Sequence, residues 1–204
     1  QWERVRLLRK DLVAVNAILL LNKPNINVAT PQMIEGRTGM AFDFWSAVSD
    51  IDGFGDPQAR ERTVAAQPVV LKAIAKLIFD YSFSNRKPEN GEEIAKQIIQ
   101  SLSDIDFSHD NPMWNFYNLT PEELEGHGLT ELAAYLPTNE SGNRDLGSMQ
   151  SGFMRFGSKH NDIYPVIGDM IRWKLKLPAR KQILDEASAT RMSAHLDELM
   201  GEAA

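Results

Sequence analysis

Val5, Leu8, Leu12, Val15 and Leu19 recur at steps of three and four, the spacing that lines one side of an α-helix. This first helix is expected to stop near Leu21. Asn22-Lys23-Pro24-Asn25 follows it, and proline lacks a backbone donor and disfavours helix in the residue before it. The chain then reads as loop up to Gly39. Phe42, Phe44, Trp45 and Val48 predict one or two helical turns, closed by the turn signal Gly53-Phe54-Gly55. Asp56-Pro57 has the form of a helix start, a capping carboxylate followed by proline at the first helical position. Val64, Leu71, Ile74, Ala75, Ile78 and Phe79 carry the helical period on to about Tyr81, with Pro68 expected to kink or split it.

Further along, Gly91-Glu92-Glu93 opens a helix whose Ile94, Ile98 and Leu102 share a face and whose acids sit near its positive end. The stretch 104–118 reads as loop. Thr120-Pro121-Glu122-Glu123 is a capping box, and the helix it starts is short because Gly126 and Gly128 follow. Leu129 to Leu136 adds two turns, and 137–152, rich in Gly, Ser, Thr and Asn, reads as loop. Ile163, Val166, Ile167, Met170 and Ile171 define another amphipathic helix, ended before Pro178, and Ile183, Leu184, Leu196 and Leu199 predict a last one. No run of strand length alternates with period two, and no heptad is sustained. The fold class expected is mainly α, an irregular multi-helix domain with long loops. It comprises an N-terminal helix with its connecting loop (1–41) and a helical domain (42–204), expected to form one globular unit.

Composition adds limits. At 204 residues, 43% of them hydrophobic, the chain can bury a core without staples. The absence of cysteine removes disulfides, thiolate nucleophiles and zinc sites built on sulfur, and it suits a cytoplasmic protein. The longest apolar stretch, Leu12 to Leu21, is half the roughly 20 residues needed to cross a bilayer, so no membrane association is expected. Residue 1 is Gln rather than Met, and no small-residue cleavage site follows the first apolar run. The chain is therefore expected to be a fragment of a longer protein.

Charge is partitioned unevenly. The net −6 resolves into +3 over 1–10, −2 over 11–84, −8 over 85–143, +5 over 144–181 and −4 over 182–204. A local positive block on an acidic chain can create a basic face for phosphate or an acidic partner. Its residues include Arg155, Lys159 and His160, beside the glycines and aromatics of Gly152-Phe153-Met154-Arg155-Phe156-Gly157, and Arg172, Lys174 and Lys176 near the end of a helix. That first group is no phosphate loop, because its lysine and serine stand in the wrong order and no strand is read before it. The alternative is that Phe153 and Phe156 plug the core, and that the helix-end cations simply oppose the negative end of the helix dipole.

Two acidic clusters have residue types that metal sites use. Asp50, Asp52, Gly55, Asp56 and Glu61 fit first, third, sixth, seventh and twelfth positions of a calcium loop, yet Phe54 supplies no oxygen where a ligand is needed. Asp104, Asp106, His109 and Asp110 have the composition of a metal site without its spacing. Both are read as structural turns. No metal and no cofactor is expected, and no nucleophile elbow or dinucleotide fingerprint is present.

Phe44-Trp45-x-x-Val48, Arg60-x-Arg62, the helix Val69 to Phe79, Leu102-x-x-Ile105-Asp106-Phe107 and Asn111-x-x-Trp114 follow one another in an order with a likeness. Over residues 42–180 the chain resembles the C-terminal helical part of DGQHR-domain, DndB-like DNA sulfur modification proteins. The Asp-Gly-Gln-His-Arg signature itself is absent, as expected of a piece lacking the N-terminal domain that carries it. The resemblance implies a bacterial accessory or regulatory domain of a DNA phosphorothioation-type modification or defence system, binding DNA or a protein partner. It implies no catalytic residue.

The expectation is thus a non-enzymatic helical domain that meets DNA, if at all, through 144–181, with Arg155, Lys159, His160, Arg172, Lys174 and Lys176 on phosphates. A fragment of a hydrolytic enzyme with an acidic cleft near Asp104–Asp110, or a purely structural interaction module, are the alternatives.

Overall fold

The computed structural model describes residues 7–23, 29–137 and 146–180. Its elements in chain order are α1 (Arg9–Leu21), α2 (Pro31–Glu35), α3 (Thr38–Ser49), α4 (Ala59–Arg62), α5 (Pro68–Ser82), α6 (Gly91–Gln100), α7 (Pro121–Gly126), the strands β1 (Gly147–Gln150) and β2 (Phe153–Phe156), and α8 (His160–Lys174). Short 3-10 turns cover Val64–Ala66, Leu102–Asp104, Pro112–Asn118 and Thr130–Ala134. The fold is mainly α, and among the described residues no helix is long and apolar enough to cross a membrane. The helix expected over Ile183 to Leu199 lies outside the described residues.

Pro68 splits the helix expected between Asp56 and Tyr81. It sits in the first turn of α5, where its missing N–H removes no helical bond, and only the single turn α4 and a 3-10 turn precede it. Asp56 does not cap a helix. α4 starts at Ala59 without a side-chain cap, and the Asp56 carboxylate instead accepts from Arg62 Nε at 3.1 Å. The acidic turn Asp50–Asp56 is thereby tied to α4.

α5 is the central helix. Ten of its 15 residues are buried, because α1, α6 and α8 all pack on it. One core runs through Val15, Ile18 and Leu19 of α1, Phe44 and Val48 of α3, the apolar faces of α5, and Ile163, Val166, Ile167 and Met170 of α8. α1 therefore belongs to the same core as α3, α5 and α8, and Trp45 Nε1 donates to Asn16 Oδ1 at 2.9 Å. α3 starts at Thr38, earlier than its aromatic cluster indicated, and the short α2 lies within the stretch read as loop.

The capping box at Thr120 is formed as its sequence predicts, with Glu123 N donating to the Thr120 hydroxyl and Glu123 Oε2 accepting from Thr120 N. α8 begins at His160, one turn before its apolar pattern. Pro165 is tolerated inside it because the bond it forfeits would reach back to the carbonyl of exposed Asn161 in the first turn.

The reading of 137–152 as loop is overturned at its end. β1 and β2 form an antiparallel hairpin with Gln150 opposite Phe153, turned by Ser151 (φ 54°) and Gly152 (φ 82°). Positive φ at both central residues matches the right-handed twist of a two-residue hairpin. Gly147 is required where β1 starts: its φ is 119°, and a Cβ there would lie 2.0 Å from the Arg155 carbonyl oxygen.

Side chains pin the outer edge of β2. Met154 N donates to His109 Nδ1 at 3.0 Å, Gln67 Nε2 donates to the Met154 carbonyl at 2.8 Å, and Phe156 N donates to Gln67 Oε1 at 3.2 Å. With Nδ1 accepting, Nε2 carries the proton and donates to the Arg60 carbonyl at 2.9 Å. An edge that would otherwise offer unpaired backbone groups is thus consumed internally.

The segment after α6, expected as loop, is organised around Trp114. That ring is fully buried, stacks on Phe107 at 5.6 Å and meets Phe156 edge-on at 6.4 Å. Its Nε1 donates to the Asp106 carbonyl, which also accepts from Asn111 Nδ2.

Candidate functional site

On α5 the positions left half-buried are Pro68, Lys72, Lys76, Phe79 and Asp80. Steps of four place Lys72, Lys76 and Asp80 along one stripe of the helix. α1 and α8 both pack on α5, and the stripe meets groups from each: Lys72 contacts His160 of α8, while the charge of Asp11 on α1 acts on both Lys72 and His160. At the other end of the stripe Asp80 pairs with Lys76 and its charge reaches Tyr164 and Arg180.

Lys72 Nζ lies 3.2 Å from His160 Nδ1 at the start of α8. Burial pushes the Lys72 ammonium below its usual range, against the pull of Asp11. Burial likewise lowers His160, and the Lys72 charge lowers it further while Asp11 opposes. The imidazole is therefore neutral at pH 7 and accepts from lysine. An unfolded chain protonates this histidine near 6.5, whereas the folded chain takes the proton only at lower pH, so the unfolded state binds more protons between the two. Stability is expected to drop as pH falls below about 6.5, and His160→Gln should remove that part of the drop. Thermal melts of both proteins from about pH 8 to 5 test this, and parallel pH profiles would refute it.

At the opposite end a cleft of about 550 Å³ opens between the ends of α1, α5 and α8. Its chemistry comes from Lys76, Asp80, Arg86, Arg172 and Arg180, and its apolar wall from Phe79 and Phe83 with Leu21 and Pro88. Arg180 binds both carboxylate oxygens of Asp169, which is 2% exposed. Burial works against the Arg180 charge, but the bonds and charge of Asp169, with Asp80 beyond, outweigh it and raise the guanidinium above its ordinary value. Arg172 Nη1 donates to the Tyr81 hydroxyl at 2.9 Å, and its guanidinium sits 5.1 Å over the Tyr81 ring. The phenol of Tyr164 is raised, first by burial and then by the charge of Asp80.

The structure disperses the six cationic positions read from sequence. α8 has 15 residues, so at about 1.5 Å each its ends lie roughly 21 Å apart. Lys159 and His160 stand at one end, and Arg172, Lys174 and Lys176 at the other. Arg155 is on β2, half-buried, with Nη1 3.4 Å from Gln150 Oε1. Arg172 is buried, at 4% exposure, and is held by Tyr81. Lys176 also has a structural duty. Its φ of 55° ends α8, with Leu177 N bonding to the Arg172 carbonyl and Lys176 N to that of Trp173, a left-handed helix stop. Phe153 and Phe156 turn inward, against His109 and Trp114.

The acidic cluster at Asp104–Asp110 is built as a turn. The Asp106 carboxylate accepts from Ser108 N at 2.8 Å, and both His109 nitrogens are committed to backbone groups. Among the described residues no three metal-binding side chains gather.

Lys72, Lys76, Asp80, Arg86 and Arg180 were not singled out in the sequence. The first three carried a readable signal, charges at i, i+4 and i+8 inside an otherwise apolar helix. Arg86 and Arg180 carried none, since each lies in a segment with no period. No protein-family model, no curated protein and no solved structure matches this chain.

Proposed function

We propose that this chain is a helical accessory or regulatory domain of a bacterial DNA-modification system of the DGQHR, DndB-like kind, meeting DNA through phosphates and performing no chemistry on it. One observation supports the reading above others: the positive segment 144–181 of an acidic chain presents Lys174 and Lys176 as exposed cations at one end of α8, beside the turn that leads to Arg180. A local patch of this kind is what an acidic protein needs to overcome its overall repulsion from a polyanion.

Phosphate contacts carry no base information, so binding should be weakly sequence-specific and fade with salt. In fluorescence anisotropy with duplex DNA at low and high salt, Lys174→Glu with Lys176→Glu is expected to weaken binding across all sequences and to lower the salt slope by about 2. Unchanged affinity removes this end of α8 from the reading. A protein partner is the second reading, favoured by exposed apolar side chains on the first three helices, above all Phe42 at 75% exposure, with Leu12, Val13, Met33 and Ile34. Absence of DNA binding at low salt would put that reading first.

A further inference from the structure

We propose that the cleft between the ends of α5 and α8 is a binding site for a nucleoside 5′-phosphate, with the phosphate on Arg172 and Arg86 and the base against Phe79 and Phe83. Arg172 carries the argument. Its guanidinium is buried, yet among the described residues its hydrogen bonds go to neutral groups, the Tyr81 hydroxyl and, at 3.5 Å, the Pro178 carbonyl. Asp169, one turn earlier on the same helix, is engaged by Arg180, and no described carboxylate pairs with Arg172. A buried cation without an ionic partner is costly, and an anion entering the cleft relieves that cost.

Arg86 lines the same cleft. Arg86, exposed on the rim, forms no ion pair with the described residues, whereas the one carboxylate of the wall, Asp80, is held by Lys76. Two planar forks lining one cleft fit a tetrahedral oxyanion, since guanidinium groups bind phosphate in a bidentate manner. The opposite wall defines the rest of the ligand. Phe79 and Phe83 meet edge-to-face at 6.2 Å, with Leu21 and Pro88 beside them; the Arg37 guanidinium lies 4.4 Å over the Phe83 ring, so a flat ring would pack on the apolar surface that this leaves uncovered. The volume, about 550 Å³, lies in the range of small-molecule sites.

This goes beyond the DNA reading, since Arg86, Phe79 and Phe83 have no part in it. The same chemistry is presented by a free nucleotide and by the 5′-phosphorylated end of a DNA strand. The test is isothermal titration of the full chain with AMP, adenosine, inorganic phosphate, and a short single-stranded oligonucleotide with and without its 5′-phosphate. Loss of Arg172 threatens the fold, so Arg86→Ala on the exposed rim serves as the variant, with its melting curve showing that it is folded. AMP is expected to bind at least tenfold more tightly than adenosine or inorganic phosphate, and Arg86→Ala to weaken AMP about tenfold, equivalent to about 1.4 kcal/mol. Tighter binding of the phosphorylated oligonucleotide than of AMP assigns the site to a DNA end, and the reverse assigns it to a free nucleotide. Equal binding of AMP and adenosine, unchanged AMP affinity in Arg86→Ala, or no AMP heat at millimolar concentration overturns the proposal. Lys174→Glu with Lys176→Glu should leave AMP binding intact, which separates a failure here from a failure of the duplex reading.

Discussion

Trp114→Ala is expected to destabilise the fold by about 3–5 kcal/mol, the range for truncating a large buried aromatic. The ring is wholly buried between Phe107 and Phe156, so its removal opens a cavity where α6, the following 3-10 turns and the hairpin meet. It also leaves the Asp106 carbonyl with one donor fewer. For a chain of this size each kcal/mol shifts the melting temperature by about 2–4 °C, so a fall of about 10 °C is expected. Trp114→Phe keeps most of the packing and loses the Nε1 bond, and should cost about 1–2 kcal/mol. Urea unfolding followed by circular dichroism measures both. Equal losses for the two variants would show that the hydrogen bond, not the ring volume, carries the effect.

His109→Leu preserves apolar bulk and strips away two hydrogen bonds at once. Of the two groups bound to opposite ring nitrogens, the Met154 N–H would be stranded in a buried position and the Arg60 carbonyl in a partly buried one. An unsatisfied buried group costs about 1–3 kcal/mol and the partly buried carbonyl less, which places the loss at about 2–4 kcal/mol. Gln67 still holds β2 through the Met154 carbonyl and Phe156 N, so the hairpin should loosen rather than detach. Hydrogen exchange reads this locally: the Met154 amide should lose protection more than the amides of α5. A variant as stable as the parent, with Met154 still protected, would show that the hairpin is not fixed by this ring.

Of the residues on which the expected resemblance rests, Phe44, Val48, Leu102, Ile105, Phe107 and Trp114 are buried, whereas Arg62 and Asp106 are exposed. An order of such positions describes how a chain packs, and packing residues transfer a fold more readily than a function. The surface chemistry that the functional reading needs lies on other residues.

Helical periods were legible wherever an apolar face is long. α1, the apolar positions of α5, α6 and α8 follow from steps of three and four, and the capping box of α7 follows from four residues of local chemistry. These features depend on neighbours within one or two turns, so sequence alone determines them. The hairpin was not legible as a strand pair, because four-residue strands are too short to show alternation; Ser151-Gly152 was its one local sign.

Tertiary structure decided everything that depends on which segments meet. Gln67, His109 and Met154 are bonded across separations of 87 and 45 residues, and Arg172 meets Tyr81 across 91. In sequence Arg172 is one more cation in a basic run, indistinguishable from Lys174 two positions on. The helix turns it inward and its neighbour outward, and only burial separates them. The charge of 144–181 was thus determined by the sequence, while the division of that charge between an outer surface and a buried cleft was made by the packing of α8 on α5, because a side chain's environment is a property of the elements that surround it.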